Sequence, residues 1–148
     1  MATIKYILGS ITTIADTELN GLTNNTGALG KEYVNSTGLY IRGLFQLSVT
    51  WGSAPTVDTE VRLYLAKSLD DTNYEDGSAT IMQANNFVGS FIVRAVTTAQ
   101  VMTLRGLQGE WTELPPTKFK PILYNASGQS FPATGNLLKL LPYGLQSV

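Results

Sequence analysis

The residues best suited to chemistry lie in one acidic stretch, Asp70-Asp71-Thr72-Asn73-Tyr74-Glu75-Asp76-Gly77. Asp71, Asn73 and Glu75 put side-chain oxygens at alternate positions, as a calcium loop does. The pattern then departs from that loop. The sharp-turn glycine falls one place late at Gly77, and the twelfth position is Met82 in place of a bidentate glutamate. The stretch therefore reads as a solvated turn between strands, held by Asx-type hydrogen bonds. A second cluster is Glu110 and Glu113 around Trp111. Glycoside hydrolysis needs two carboxylates roughly 5 to 9.5 Å apart across a cleft. These two share one loop with no second motif, so the expectation is that Trp111 covers an end of the core and the acids face solvent.

Other chemistries lack their parts. The chain has no histidine and no cysteine. That removes the commonest general base, the usual thiolate nucleophile and metal ligand, and any disulfide. Lys67-Ser68 is a neighbour pair at a strand end with nothing to support a Ser-Lys arrangement. No phosphate-binding glycine loop is present. Lys118 and Lys120 share a strand face, and with Arg94 and Arg105 they are too sparse for a nucleic-acid track. Tyr33, Tyr40, Tyr64, Tyr74, Tyr124 and Tyr143 are scattered and read as core or sheet-surface packing. No enzyme, cofactor or metal site is expected, and no catalytic residue is assigned.

The elements that position these residues follow a period of two. Phe45, Leu47, Val49 and Trp51 point one way, and Gln46, Ser48 and Thr50 the other. Val61, Leu63 and Leu65 alternate with Arg62, Tyr64 and Ala66 after the turn formers Gly52-Ser53-Ala54-Pro55, which suggests a hairpin between the two strands. Phe87 to Val96 is a further strand, with Val101 to Leu107 expected to pair with it. Pro115-Pro116 fixes an extended entry to a strand over Lys118 to Asn125. The last strand spans Asn136 to Tyr143, where Pro142 suggests an edge or exit position. Thr3 to Leu8 and Ser10 to Ala15 read as short strands around Gly9. Thr17 to Gly30 is rich in Asn, Gly and Thr and reads as a long loop or arm, with Asp16 able to cap a short helix and Leu19, Leu22 and Leu29 able to pin it.

About eight strands in 148 residues predict an all-β fold, an antiparallel β-sandwich of jelly-roll type with an irregular N-terminal arm or loop. The expected organisation is a single domain over 1–148, with N-terminal strands and loop or arm over 1–37 and the sandwich body over 38–148. Charged residues are only 14% of the chain, below the usual value of about 25%, and the net charge is -1. A near-neutral surface gives no pull toward nucleic acid or acidic lipid, and it opposes self-association weakly. No apolar run reaches the roughly 18 residues of a membrane span, and no signal peptide is expected at the N-terminus. Asn24, Asn35 and Asn125 each begin a glycosylation sequon, read as chance matches in an Asn- and Thr-rich chain.

Three stretches carry a resemblance. They are Tyr33-Val34-Asn35-Ser36-Thr37-Gly38-Leu39-Tyr40, then Val61-Arg62-Leu63-Tyr64-Leu65 with Tyr74-Glu75-Asp76-Gly77, and finally Leu114-Pro115-Pro116-Thr117-Lys118-Phe119-Lys120-Pro121 continuing to Asn125-Ala126-Ser127-Gly128-Gln129. Their order resembles small structural proteins of tailed bacteriophages, among them β-sandwich head decoration or cement proteins. The resemblance implies a virion structural protein, made in the bacterial cytoplasm, that binds the outside of the major capsid protein lattice and stabilises the head. The alternative is a small tail or fibre component, a carbohydrate- or receptor-binding β-sandwich. A homo-oligomer is compatible with either role, and neither needs nucleic acid or a membrane. No partner-binding residue carries over from the resemblance.

Overall fold

A computed structural model describes residues 3–106 and 111–147. It is an all-β sandwich of two antiparallel sheets. Twelve strands are present among the described residues: β1 (Ile4–Leu8), β2 (Thr12–Ala15), β3 (Thr26–Leu29), β4 (Tyr33–Val34), β5 (Arg42–Thr50), β6 (Glu60–Ser68), β7 (Phe87–Ile92), β8 (Ala99–Thr103), β9 (Arg105–Gly106), β10 (Trp111–Glu113), β11 (Lys118–Ala126) and β12 (Leu137–Ser147). Sheet A runs β1-β12-β5-β10, with β2 beside β12 and β8 beside β5. Sheet B runs β3-β11-β6-β7-β9, with β4 beside β11.

The short strands are pieces of longer ones. β1 and β2 both pair with β12, β3 and β4 both pair with β11, and β8 and β10 both pair with β5. Merging them, and setting aside the two-residue β9 beside β7, leaves eight strand positions, the number expected from the sequence. The first pairs with the eighth, the second with the seventh, the third with the sixth and the fourth with the fifth. That is one long antiparallel hairpin rolled up until β12 meets β5 and β11 meets β6, the winding of a jelly roll.

The core lies between the sheets. Phe45, Leu47, Val49 and Trp51 from sheet A meet Val61, Leu63, Leu65, Phe119 and Leu123 from sheet B, and all are at most 2% exposed. Phe45 contacts Phe119 edge-on across the interior at 6.4 Å, and Trp51 contacts Phe131 at 5.0 Å. Each such side chain contributes about 1.5–3 kcal/mol through burial.

Several sequence expectations need correction. β5 and β6 form no hairpin; they belong to opposite sheets, and the Gly52–Thr59 connection crosses between them. Alternation sets which face a strand buries, and both strands bury theirs against each other. β8 pairs with β5 instead of β7, and among the described residues only Arg105 and Gly106 return to β7. Leu107 lies outside the described residues. Pro142 stands on a central strand, paired with Gly43 on one side. Its carbonyl accepts from Gly9 N at 2.8 Å, so its missing N–H faces the break between β1 and β2. A ladder donor is lost where no ladder partner is needed.

The Thr17–Gly30 segment is loop for half its length, and it is fastened to the body. Asp16 caps a 3₁₀ turn at Thr17–Leu19, Leu19 and Leu22 are buried, and β3 pairs with β11. Asn35 and Asn125 are both fully buried, which closes those two sequons to a modifying enzyme in the folded chain. Asn35 bonds the backbone of Tyr40 and Pro115, and Asn125 ties four groups around the turn after β11.

Candidate docking face

The two sheets treat their outer faces differently. On sheet B, Tyr64, Ala66 and Ile122 form a second apolar cluster, covered by Met82 and Phe87 together with Leu29 and Tyr124. Met82 belongs to the long 69–86 connection, which folds back over the sheet; Gly27 lies against the Ala79 carbonyl, and Gly77 leaves room for Ile122. Near Lys118, the Tyr74 hydroxyl donates to Glu32, Lys118 Nζ is 3.6 Å from Glu32, and Lys120 Nζ lies 4.3 Å over the Tyr74 ring. The two lysines are thus engaged with Glu32, between β3 and β4, and with Tyr74, on the 69–86 connection. Desolvation, then the Glu32 carboxylate, pushes the Tyr74 hydroxyl up to about 12.

Among the described residues no such cover lies on the β1 end of sheet A. Register places Tyr6 beside Leu145, Leu8 beside Tyr143, Leu141 beside Leu44, and Leu44 beside Trp111. These side chains all point outward. Trp111 meets Tyr143 edge-on at 4.5 Å, and Tyr143 meets Tyr6 at 5.8 Å. Tyr6, Leu8, Trp111 and Tyr143 line an open groove of about 300 Å³. Tyr6 is 78% exposed, Ile4 69% and Leu8 63%. Arg42 stands in register between Tyr143 and Glu113 at the rim. The surface is a row of rings and aliphatic chains with charge at its border.

This overturns one expectation. Trp111 covers no end of the core; it is half-buried on the outer face of sheet A. Glu113 is exposed, and Glu110 lies outside the described residues. The sequence reading also passed over Tyr6, the most exposed tyrosine of the group. The signal was the alternation Ile4, Tyr6, Leu8 on a short terminal strand, which marks one continuous apolar face.

The acidic stretch is an Asx-held turn, as its spacing predicts. Asp70 Oδ1 accepts from the backbone of Asn73 at 2.7 Å and of Thr72 at 2.9 Å, and Oδ2 from the Asn73 amide at 2.8 Å. Glu75 turns back to the backbone N–H of Lys67, so the alternating oxygens do not converge. No group of three acidic side chains placed to hold a metal occurs among the described residues. Ser68 is buried at the start of this turn. Arg94 offers its backbone to the buried Gln100 amide, which bonds Arg94 and Val96.

The Asn73 backbone N–H, the Asn73 side-chain amide and the Thr72 N–H together hold the Asp70 carboxyl at about 2. A lowered folded-state pKa contributes stability above the unfolded value of about 3.9 that is lost as pH falls through the folded value. Asp70→Asn is therefore expected to shrink the loss of stability between about pH 4 and pH 2, and urea midpoints at both pH values measure it. Equal losses in the two proteins would mean that these bonds do not form.

No protein-family model matches this chain, and no curated protein sequence does. Among solved structures it is similar to one of Desmodium yellow mottle tymovirus, at 12% identity and a TM-score of 0.44, over 99% of this chain and 88% of that one. It is also similar to the N-terminal cellulose-binding domain of Cellulomonas fimi β-1,4-glucanase C, at 14% identity and a TM-score of 0.28, over 93% of this chain and 77% of that one. At these scores neither likeness bears on function, which has to be read from the surface.

Proposed function

We propose that this chain is a non-catalytic structural protein of a virus particle, a decoration protein that docks on the major capsid protein lattice of a tailed-phage head through the outer face of sheet A. The observation that carries this reading is the patch of Tyr6, Leu8, Trp111 and Tyr143, continued by Ile4 and Leu145, which no described segment covers. Isolated exposed apolar side chains need no explanation, but a contiguous patch rimmed by polar groups marks an interaction site. Trp and Tyr dominate the energetics of protein interfaces. The resemblance described above supplies the particle, and the absence of histidine and cysteine supports a binding role over catalysis.

A second reading, carbohydrate binding, is favoured by the three rings around one groove. Sugar recognition also needs hydrogen-bonding groups beside the rings for the hydroxyls. Here most ring neighbours, Ile4, Leu8, Leu44, Leu141 and Leu145, are aliphatic and Arg42 stands only at the rim, which favours a protein partner. The test is co-sedimentation with purified heads that lack the chain. Saturable binding is expected, with no signal on a glycan array. Failure to bind heads together with a glycan signal would reverse the order of the two readings.

A further inference from the structure

β1 is a sheet edge whose protection amounts to one lysine, Lys5. One side pairs with β12 from Ile4↔Ser147 to Leu8↔Tyr143 in unbroken register. The other side pairs with no strand among the described residues. Every residue of β1 is exposed, including Ile7, which points away from the outer face. The strand holds one charge, Lys5, and no proline or bulge. The remaining edges are handled differently. β3, β4, β9 and β10 have four residues or fewer. β8 is flanked by the Arg94–Val96 segment through the Gln100 amide. Long, apolar edges with so little protection are templates for pairing with another strand.

The phase of the ladder shows which groups are free. Gly9 N donates to Pro142 O. Backbone groups of an antiparallel strand point alternately to either side. Lys5 and Ile7 thus face β12, and the N–H and C=O groups of Ile4, Tyr6 and Leu8 face outward. The geometry points to β1 as the site where a second copy of this chain adds antiparallel, about a two-fold axis at Tyr6, so that sheet A runs on through both molecules. Tyr6 then lies opposite its own counterpart, and Ile4 opposite Leu8. All three outward-facing residues become hydrogen-bonded pairs, giving about six backbone bonds. Lys5 lies opposite Ile7, so the only charge of the strand never meets its like.

Self-pairing suits this strand better than an unrelated partner, because its outward groups and side chains complement themselves in this one register. Pairing in this register covers the backbone edge of β1 and the flanks of Ile4, Tyr6, Ile7 and Leu8, while the outer faces of Tyr6 and Leu8 stay open. The two grooves would then lie side by side on one continuous face. The inference is independent of the docking partner, since it concerns the isolated chain.

Sedimentation equilibrium of the full chain over a wide concentration range tests it. The mass is expected to rise from 16.0 kDa toward twice that value. Tyr6→Lys sets two like charges opposite each other. Leu8→Pro removes an outward N–H and leaves the β12 ladder intact. Each is expected to weaken self-association at least ~100-fold, with the circular dichroism spectrum unchanged. In the unaltered chain, amide exchange at Tyr6 is expected to slow with concentration, a readout that does not depend on a variant folding. A mass of 16.0 kDa at every concentration, or a dimer that both folded variants retain, would overturn the proposal. So would exchange at Tyr6 that ignores concentration.

Discussion

Asn125→Ala is expected to destabilise the protein by about 3–5 kcal/mol, the largest effect of any single polar substitution proposed for this chain. The Asn125 amide nitrogen donates to the carbonyls of Leu22 at 3.0 Å and Gln129 at 2.8 Å. Its oxygen accepts from the Ser127 backbone at 3.1 Å and the Ser127 hydroxyl at 2.6 Å. The side chain is fully buried. Alanine removes four hydrogen bonds, at about 0.5–1.5 kcal/mol each, and leaves the buried Ser127 N–H without its partner, while the Leu22 and Gln129 carbonyls keep their bonds from Phe131 N and the Ser127 hydroxyl. The bond to Leu22 also ties the N-terminal loop to the turn after β11. Thermal unfolding measures the effect: the midpoint should fall by roughly 10–15 °C. A fall of only a degree or two would mean that the network is replaceable and that the loop is held by buried Leu19 and Leu22 and its backbone bonds to Pro132, Asn125 and Phe131.

The second large effect is on docking. Trp111→Ala is expected to weaken binding to heads by roughly 30- to 1000-fold, the range of a central aromatic anchor worth about 2–4 kcal/mol. Trp111 packs edge-on against Tyr143, which in turn packs on Tyr6, so its loss also frees the neighbouring rings. Tyr143→Ala should cost a similar amount, and the double variant less than the sum, because the two rings act as one surface. Stability should change little for Trp111→Ala, since the ring is on the outer face and only half-buried. Titration of labelled protein on purified heads gives the affinities. Unchanged affinity in both single variants would remove sheet A's outer face as the docking surface.

Much of the fold is legible in the alternation of Phe45, Leu47, Val49 and Trp51 and of Val61, Leu63 and Leu65. That pattern identifies a strand and its buried face. It does not identify the neighbouring strand, because a face can be buried against either sheet; hence the expected β5–β6 hairpin that turned out to bridge the sheets. Pro142 misled for a related reason. A proline on a strand signals a missing donor, and only the pairing shows that the donor faces a gap beside Gly9. The turn at Asp70 was readable because its hydrogen bonds are local. The docking face was not, because Tyr6, Trp111 and Tyr143 come from three strands that meet only through the β1–β12–β5–β10 order.

The rolled hairpin also governs when the molecule can form. β12 stands between β1 and β5. On a ribosome, then, sheet A lacks its central member until synthesis has passed Leu137, and β1 waits for its partner through the synthesis of every strand between them. Folding should be slow for the chain's size, since the pairings of β12 with β1 and of β11 with β3 join distant segments. The same arrangement sets Ile4 beside Ser147. A circular permutant that joins them through a short linker and opens the chain within the Asp70–Gly77 turn should keep every strand pairing except the Ser68–Tyr74 bridge in that turn, and it would let the first and last strands emerge from the ribosome as consecutive neighbours.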